Sequence, residues 1–245
     1  MGTSADRTAG RGGAWTPLKH ATASYVRGLA AGSPGTRTYA ERVLARHVPV
    51  LGGASGATSG ARAGRTGIQR LGALLAGVGQ TNLGDALTSL GLADLVGRER
   101  FDVLDELITF VAGDGNDLDA QAARDAACDV LDQIFGDADT WAELTDTAGT
   151  VVSRDGLVML LESFLARYVY NRVPVIAERL NRMTDPQMVQ RADDEMRQII
   201  AVMVSVRIPS DPFAVDWAGS EGQQIADDAV RLTYEALQGL DGDAQ

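Results

Sequence analysis

From residue 68 onward, apolar residues recur at three- and four-residue spacing with almost no strict alternation, which predicts amphipathic helices rather than strands. Ile68, Leu71, Leu74, Leu75 and Val78 form the first stripe. Asn82 is placed to cap a short helix bearing Leu83, Leu87 and Leu90. Phe101, Leu104, Leu107, Ile108 and Val111 make another stripe, closed by Gly113. Helices over 119–135 and 139–147 follow, each opening on acidic residues that suit the helix dipole. The most regular stretch is 156–183, where Leu157, Leu161, Phe164, Tyr168, Val175 and Ile176 repeat and Pro174 kinks or divides the run. Thr184-Asp185-Pro186 opens the next helix, with Met196, Ile199, Ile200, Met203 and Val204 facing inward. A turn around residues 209–212 leads to a last helix over 220–237, carrying Ile225, Ala229, Leu232 and Leu237.

Upstream the pattern is sparser. Residues 1–14 show no apolar periodicity and are expected to be mobile. Thr16-Pro17 reads as an N-cap followed by proline at the first helical position, with the helix running to Ala31 before Gly32-Ser33-Pro34-Gly35. A second helix over 38–48 sets Tyr39, Val43 and Leu44 on one side. Residues 51–67 are nearly all Gly, Ala, Ser, Thr and Arg; with nothing to bury, they read as a loop. The expected fold is therefore mainly α, a multi-helix bundle with a flexible Gly/Arg-rich N-terminal arm. Its divisions are a flexible tail over 1–14, a basic helical and Gly-rich arm over 15–67, and an acidic α-helical domain over 68–245.

Charge sharpens that division. Residues 1–80 carry ten Arg/Lys against Asp6 and Glu41, a net of +8, and the other 165 carry 12 Arg against 31 Asp/Glu, a net of −19. Together they make the −11 of the whole chain. A cationic arm on an anionic helical body suits a protein that docks something better than one that encloses a substrate. Hydrophobic content of 45% suffices for a core. Cys128 is the single cysteine, which rules out an intramolecular disulfide and a Cys-cluster zinc site and fits a reducing compartment. The N-terminus lacks an apolar signal core, and the greasiest stretch is interrupted by Glu162, Arg167, Arg172, Pro174, Glu178 and Arg179. A soluble, cytoplasmic protein is expected.

No reactive constellation emerges. The segment Gly60-Ala61-Arg62-Ala63-Gly64-Arg65-Thr66 is one residue short of a phosphate loop and lacks its lysine. The acidic run from Asp114 to Asp119 has Leu118 and Asp119 where a calcium loop needs Asp/Asn and Gly. His20 and His47 fall on different helices, Cys128 reads as a small buried hydrophobe, and Asp193-Asp194 and Asp227-Asp228 read as solvated faces. Arg62, Arg65 and Arg70 are candidate arm contacts to nucleic acid, alongside Arg37, Arg42 and Arg46. Against that reading, Tyr39 is the sole aromatic between residues 26 and 100, so stacking platforms are missing, and pairing of the arginines with the acidic body or with an acidic partner is the favoured account.

The order of landmarks carries more. Met1-Gly2-Thr3-Ser4, Trp15-Thr16, Val50-Leu51-Gly52-Gly53, Leu71-Gly72, Asn82-Leu83 with Ala86-Leu87, Gly91-Leu92-Ala93-Asp94-Leu95 with Gly97, Asp211-Pro212-Phe213, Asp216-Trp217 and Ser220-Glu221-Gly222 follow one another along nearly the whole chain. In that order they resemble the QatB family, the B components of the bacterial Qat (QatABCD) anti-phage defence systems. The resemblance implies work beside a P-loop ATPase (QatA), a QueC-like enzyme (QatC) and a TatD-like nuclease (QatD). It implies no enzyme activity and no cofactor for this chain.

The QueC-like partner implies a role for the N-terminus. Enzymes of that type activate a 7-deazaguanine carboxylate and amidate it, and their defence relatives look like protein modifiers that use an N-terminal glycine. Removal of Met1 would leave Gly2 with an α-amine of pKa near 8. Without a side chain Gly2 fits a narrow tunnel, and Thr3 and Ser4 complete the recognition tail. Asp6 stands where a myristoylation signal wants Ser or Thr. Three functions are thus weighed: a modified substrate subunit, an unmodified adaptor for the ATPase and nuclease, and a nucleic-acid-binding module acting through the basic arm. Asp216-Trp217 is expected to be a structural anchor.

Overall fold

The computed structural model describes residues 12–173, 185–208 and 211–240. Among them are eleven α-helices, one short 3-10 turn at Ala93–Leu95 and no strand, so the mainly-α expectation holds. The helices are α1 (Gly12–Ala30), α2 (Thr36–Val50), α3 (Gly53–Ser59), α4 (Arg62–Gln80), α5 (Leu83–Ser89), α6 (Arg100–Ala112), α7 (Leu118–Phe135), α8 (Trp141–Val151), α9 (Arg154–Asn171), α10 (Pro186–Met203) and α11 (Ser220–Gly239). No helix among the described residues is long and apolar enough to cross a membrane.

Two compact units divide the chain. The first contains residues up to Gly60, Val173–Met203 and the chain from Arg231. Here α1, α2 and α10 pack together through Leu18, Tyr25, Val43, Leu44, Met196, Ile199 and Ile200, all buried. Burying the Tyr25 ring requires a partner for its hydroxyl. That hydroxyl donates to Glu195 Oε2 at 2.8 Å, and the Thr36 hydroxyl donates to Glu195 Oε1 at 3.0 Å, so one α10 carboxylate ties both N-terminal helices. Gly52 and Gly53 take positive φ (94° and 77°), which lets the chain turn sharply from α2 into α3. The next amide, Ala54 N–H, donates to Gln238 Oε1 at 2.9 Å.

The second unit contains Ala61–Arg172 and Val204–Val230. Helix α4 is its centre and touches α5, α6, α7, α8 and α9. The predicted stripe Ile68, Leu71, Leu74, Leu75 and Val78 is buried as expected. Four of these five neighbours, α5, α7, α8 and α9, start on side-chain caps. Asn82 accepts from the Asp85 amide at 3.0 Å, Asp117 from Ala120 at 2.8 Å and Ser153 from Gly156 at 3.0 Å. Thr140 and Glu143 form a reciprocal capping box. The Asp139 and Thr140 amides hold the Glu143 carboxyl below its usual range, so its contribution is present near neutrality and fades in acid.

Several sequence expectations fail for physical reasons. Residues 51–67 are helical over Gly53–Ser59 and again from Arg62, not a loop. Composition treats glycine as a breaker, but Gly64 and Gly67 sit beneath the rings of Tyr168 and Phe164, where a Cβ would overlap ring atoms. Helix α1 begins at Gly12, so Pro17 lies inside it rather than at its first position. Phe101 is 76% exposed, because the buried face of α6 is Val103, Leu107 and Val111. The stretch from 174 to 184, including Pro174, lies outside the described residues, as do 1–11.

Glycine packing gives a direct test. Gly67→Ala must push the Phe164 ring or the α4 backbone and should cost about 1–3 kcal/mol. Gly149→Ala, on α8 with open space around it, should instead stabilise by about 0.5–1 kcal/mol through helix propensity. Urea midpoints followed by circular dichroism measure both.

Candidate functional site

The candidate acceptor Gly2 and the tail residues Thr3 and Ser4 lie outside the described residues. The three arm arginines are placed on α4. Arg62 is exposed at the start of the helix. Arg65 Nε lies 3.3 Å from Asp227 Oδ1. Arg70 Nη1 donates to the Phe110 carbonyl at 2.6 Å, with its guanidinium 5.5 Å from the centre of the Phe110 ring. Two of the three are therefore engaged within their own unit. Asp193 pairs with Arg197 at 2.8 Å on α10.

His20 is exposed on α1 and His47 is buried on α2. Among the described residues no group of three or more His, Cys, Asp and Glu could hold a metal ion. Cys128 corrects its expectation: it is exposed, because α7 turns Ala126, Ala127 and Val130 inward instead. Although the residue is exposed, local loss of hydration pushes its thiol pKa up, and the carboxylates of Asp129, Asp132 and Asp125 push it further. Less thiolate is then present near neutrality.

The polar residues that do converge bind helices together. Asp119 is the densest junction. Its Oδ2 accepts from the Ala63 amide at 2.8 Å, its Oδ1 accepts from the Tyr168 hydroxyl, and Arg172 Nε stands 3.4 Å from Oδ1. One carboxylate thereby joins the first turn of α4, the first turn of α7 and the end of α9. The guanidinium of Arg172 also lies 5.5 Å from the Tyr168 ring centre. Both charged side chains are largely covered, at 11% and 15% exposure, so the pair is far less screened than a surface bridge.

The second junction is the turn from Asp211 to Gly222. Trp217 is buried, donates from Nε1 to the Pro212 carbonyl at 2.9 Å, and lays its ring over Gly72. Phe213 covers Gly79 in the same way, and Gln80 donates to the Phe213 carbonyl. Asp216 Oδ1 accepts from Gly219 N–H at 3.1 Å, and Glu221 Oε2 accepts from Asp216 N–H at 3.2 Å, setting up the start of α11. Asp216-Trp217 is the structural anchor that was expected. The fold brings Leu71-Gly72 against Asp216-Trp217, two landmarks far apart in the chain. Sequence reading missed Asp119 as a junction; it took the residue as a helix-start acid and as a mismatch to a calcium loop, because its partners Ala63, Tyr168 and Arg172 come from other helices.

These features define a class: an all-α body in which the Leu71-Gly72 and Asp216-Trp217 landmarks meet in a helix-and-turn anchor. The chain belongs to the QatB family, since the family model for the Qat anti-phage system associated protein QatB matches residues 52–237. It is a component of the Qat anti-phage system and works with other Qat proteins. No curated protein and no solved structure matches the chain.

Two measurements bear on these residues. Asp119→Ala strips three partners and leaves the covered Arg172 cation without this counter-charge, so it should destabilise by about 3 kcal/mol in urea titration. Cys128 should react with iodoacetamide more slowly than free cysteine at pH 7.5 and gain rate beyond pH 9, and Asp125→Asn should speed it. A reaction as fast as free cysteine would contradict the carboxylate effect.

Proposed function

We propose that this chain is a non-catalytic subunit that binds the QueC-like partner QatC and offers Gly2, after Met1 removal, for conjugation to a 7-deazaguanine-type nucleobase. Membership of the QatB family over residues 52–237 is the observation that supports the reading, because it makes the chain a component of the Qat anti-phage system. Its N-terminal Gly2-Thr3-Ser4 is small and uncharged apart from the amine. In the reaction the neutral Gly2 nitrogen attacks the activated carboxyl of the base. An amide N–C bond forms, the activating group leaves, and the nitrogen gives up a proton. An α-amine with a pKa near 8 keeps a usable neutral fraction at cellular pH.

The helical body, held by the Asp119 and Trp217 junctions, supplies the surface that QatC grips. The ATPase QatA and the nuclease QatD are further proposed partners. The rival within the same system is an adaptor that joins QatA and QatD without being modified.

Co-expression with QatC followed by intact-mass measurement separates the two. The expected result is one added mass equal to the deazaguanine acyl group, localised to Gly2 by tandem spectra. Gly2→Pro should abolish both the mass shift and protection from phage in plaque assays. A bare Gly2 beside active QatC, with protection intact, overturns the modification and leaves the adaptor.

A further inference from the structure

One side of α6, within the second unit, is open to solvent. The helix buries Val103, Leu107 and Val111. At 3.6 residues per turn its other side chains fall in order around the axis: Leu104 and Ile108, both half-buried, then Phe101, Asp105, Asp102 and Glu106, all exposed. Phe101 thus stands at the seam between an apolar flank and an acidic one. The Arg100 guanidinium lies 5.5 Å from the centre of its ring. Arg100 Nη2 in turn donates to the Gly136 carbonyl at 3.2 Å, so the exposed ring leans on an anchored cation.

The acidic flank continues across a notch of about 210 Å³ between α6 and the 3-10 turn that precedes it. Asp94, Leu95 and Arg98 line one side, and Asp102, Asp105 and Glu106 line the other. Four carboxylates therefore meet one guanidinium, and Arg98 Nε is directed to the Asp94 carbonyl at 3.2 Å. None of the four carboxylates forms an ion pair among the described residues. They are also too dispersed to gather three ligands around a metal ion.

We infer that this face docks a basic amphipathic segment of a partner protein, its lysine or arginine side chains over the notch and one apolar side chain against Phe101. Charge complementarity selects the sign of the occupant, and the same carboxylates repel a phosphate backbone. Acids spread over two elements suit cations strung along a chain better than a single ion. Phe101 adds an aromatic anchor of the kind that carries binding energy at interfaces, and the stems of long cationic side chains can lie along it. The face is small against the roughly 800 Å² that each partner buries in a stable complex, which favours a short segment over a second copy of this chain.

The inference does not rest on the Gly2 reading. Gly2→Pro should leave this binding unchanged, so failure of one proposal is visible apart from failure of the other.

The test is fluorescence anisotropy with the full chain at roughly 50 mM salt, where exposed charges are weakly screened. One probe is a labelled leucine–lysine peptide patterned as an amphipathic helix; the other is oligolysine of equal charge. The amphipathic peptide should bind more tightly. Phe101→Ala should weaken it about fivefold and leave oligolysine unchanged, a difference that charge alone does not produce. Asp102→Asn with Asp105→Asn and Glu106→Gln should weaken both probes about tenfold. Should that triple change disturb folding, Asp105→Asn alone should still give a measurable loss of both. Asp146→Asn with Asp155→Asn, exposed on α8 and α9, should leave both affinities unchanged. Equal binding of the two probes, or full affinity in the folded Phe101 and acidic variants, overturns the inference. A dimer in sedimentation equilibrium that Phe101→Ala dissociates overturns it in favour of a second copy of this chain.

Discussion

Aromatic rings laid directly on helix backbone are the constraint around which the second unit is organised. Four glycines of α4 receive four rings: Gly64 under Tyr168, Gly67 under Phe164, Gly72 under Trp217 and Gly79 under Phe213. The magnitudes explain why such a glycine-rich helix persists. Each glycine costs about 1 kcal/mol of helix propensity relative to alanine. Each of the three buried rings, Tyr168, Phe164 and Trp217, removes roughly 150–250 Å² from water, worth several kcal/mol at about 25 cal/mol/Å². Burial wins, provided nothing holds the ring away from the helix axis. Phe164 and Tyr168, one turn apart on α9 with near-parallel rings, therefore read α4 as a flat surface.

Polar chemistry in this unit is subordinate to that packing. Asp119 takes up the Tyr168 hydroxyl that ring burial would otherwise strand, and the same carboxylate engages the Ala63 amide at the start of α4. The Trp217 indole is satisfied in the same economical way, by the Pro212 carbonyl five residues earlier. Each of these groups has a packing duty.

What could be read from the residues was whatever depends on neighbours in the chain. Asn82, Pro186 and the Ile68 to Val78 stripe were legible because caps, proline starts and helical periodicity are local. Phe101 and Cys128 were misplaced because hydrophobicity names what can be buried, not which side of a helix faces the core. The 51–67 segment was misread for a deeper reason. Glycine signals a flexible turn and a close-packed helix equally well, and the rings that decide between them lie about a hundred residues downstream. Of the candidate site, Asp216-Trp217 was recognisable as an anchor, whereas the arm arginines were visible only as charge. Their partners, Asp227 and the Phe110 carbonyl, come from other parts of the fold.

Ring-on-glycine seating also shapes how such a sequence can diverge. Enlarging the glycine overfills the contact and shrinking the ring empties it, so a change on either side is penalised until the other answers. Gly67 with Phe164, and Gly72 with Trp217, should drift across relatives as linked pairs, leaving a covarying trace between segments that local periodicity never connects.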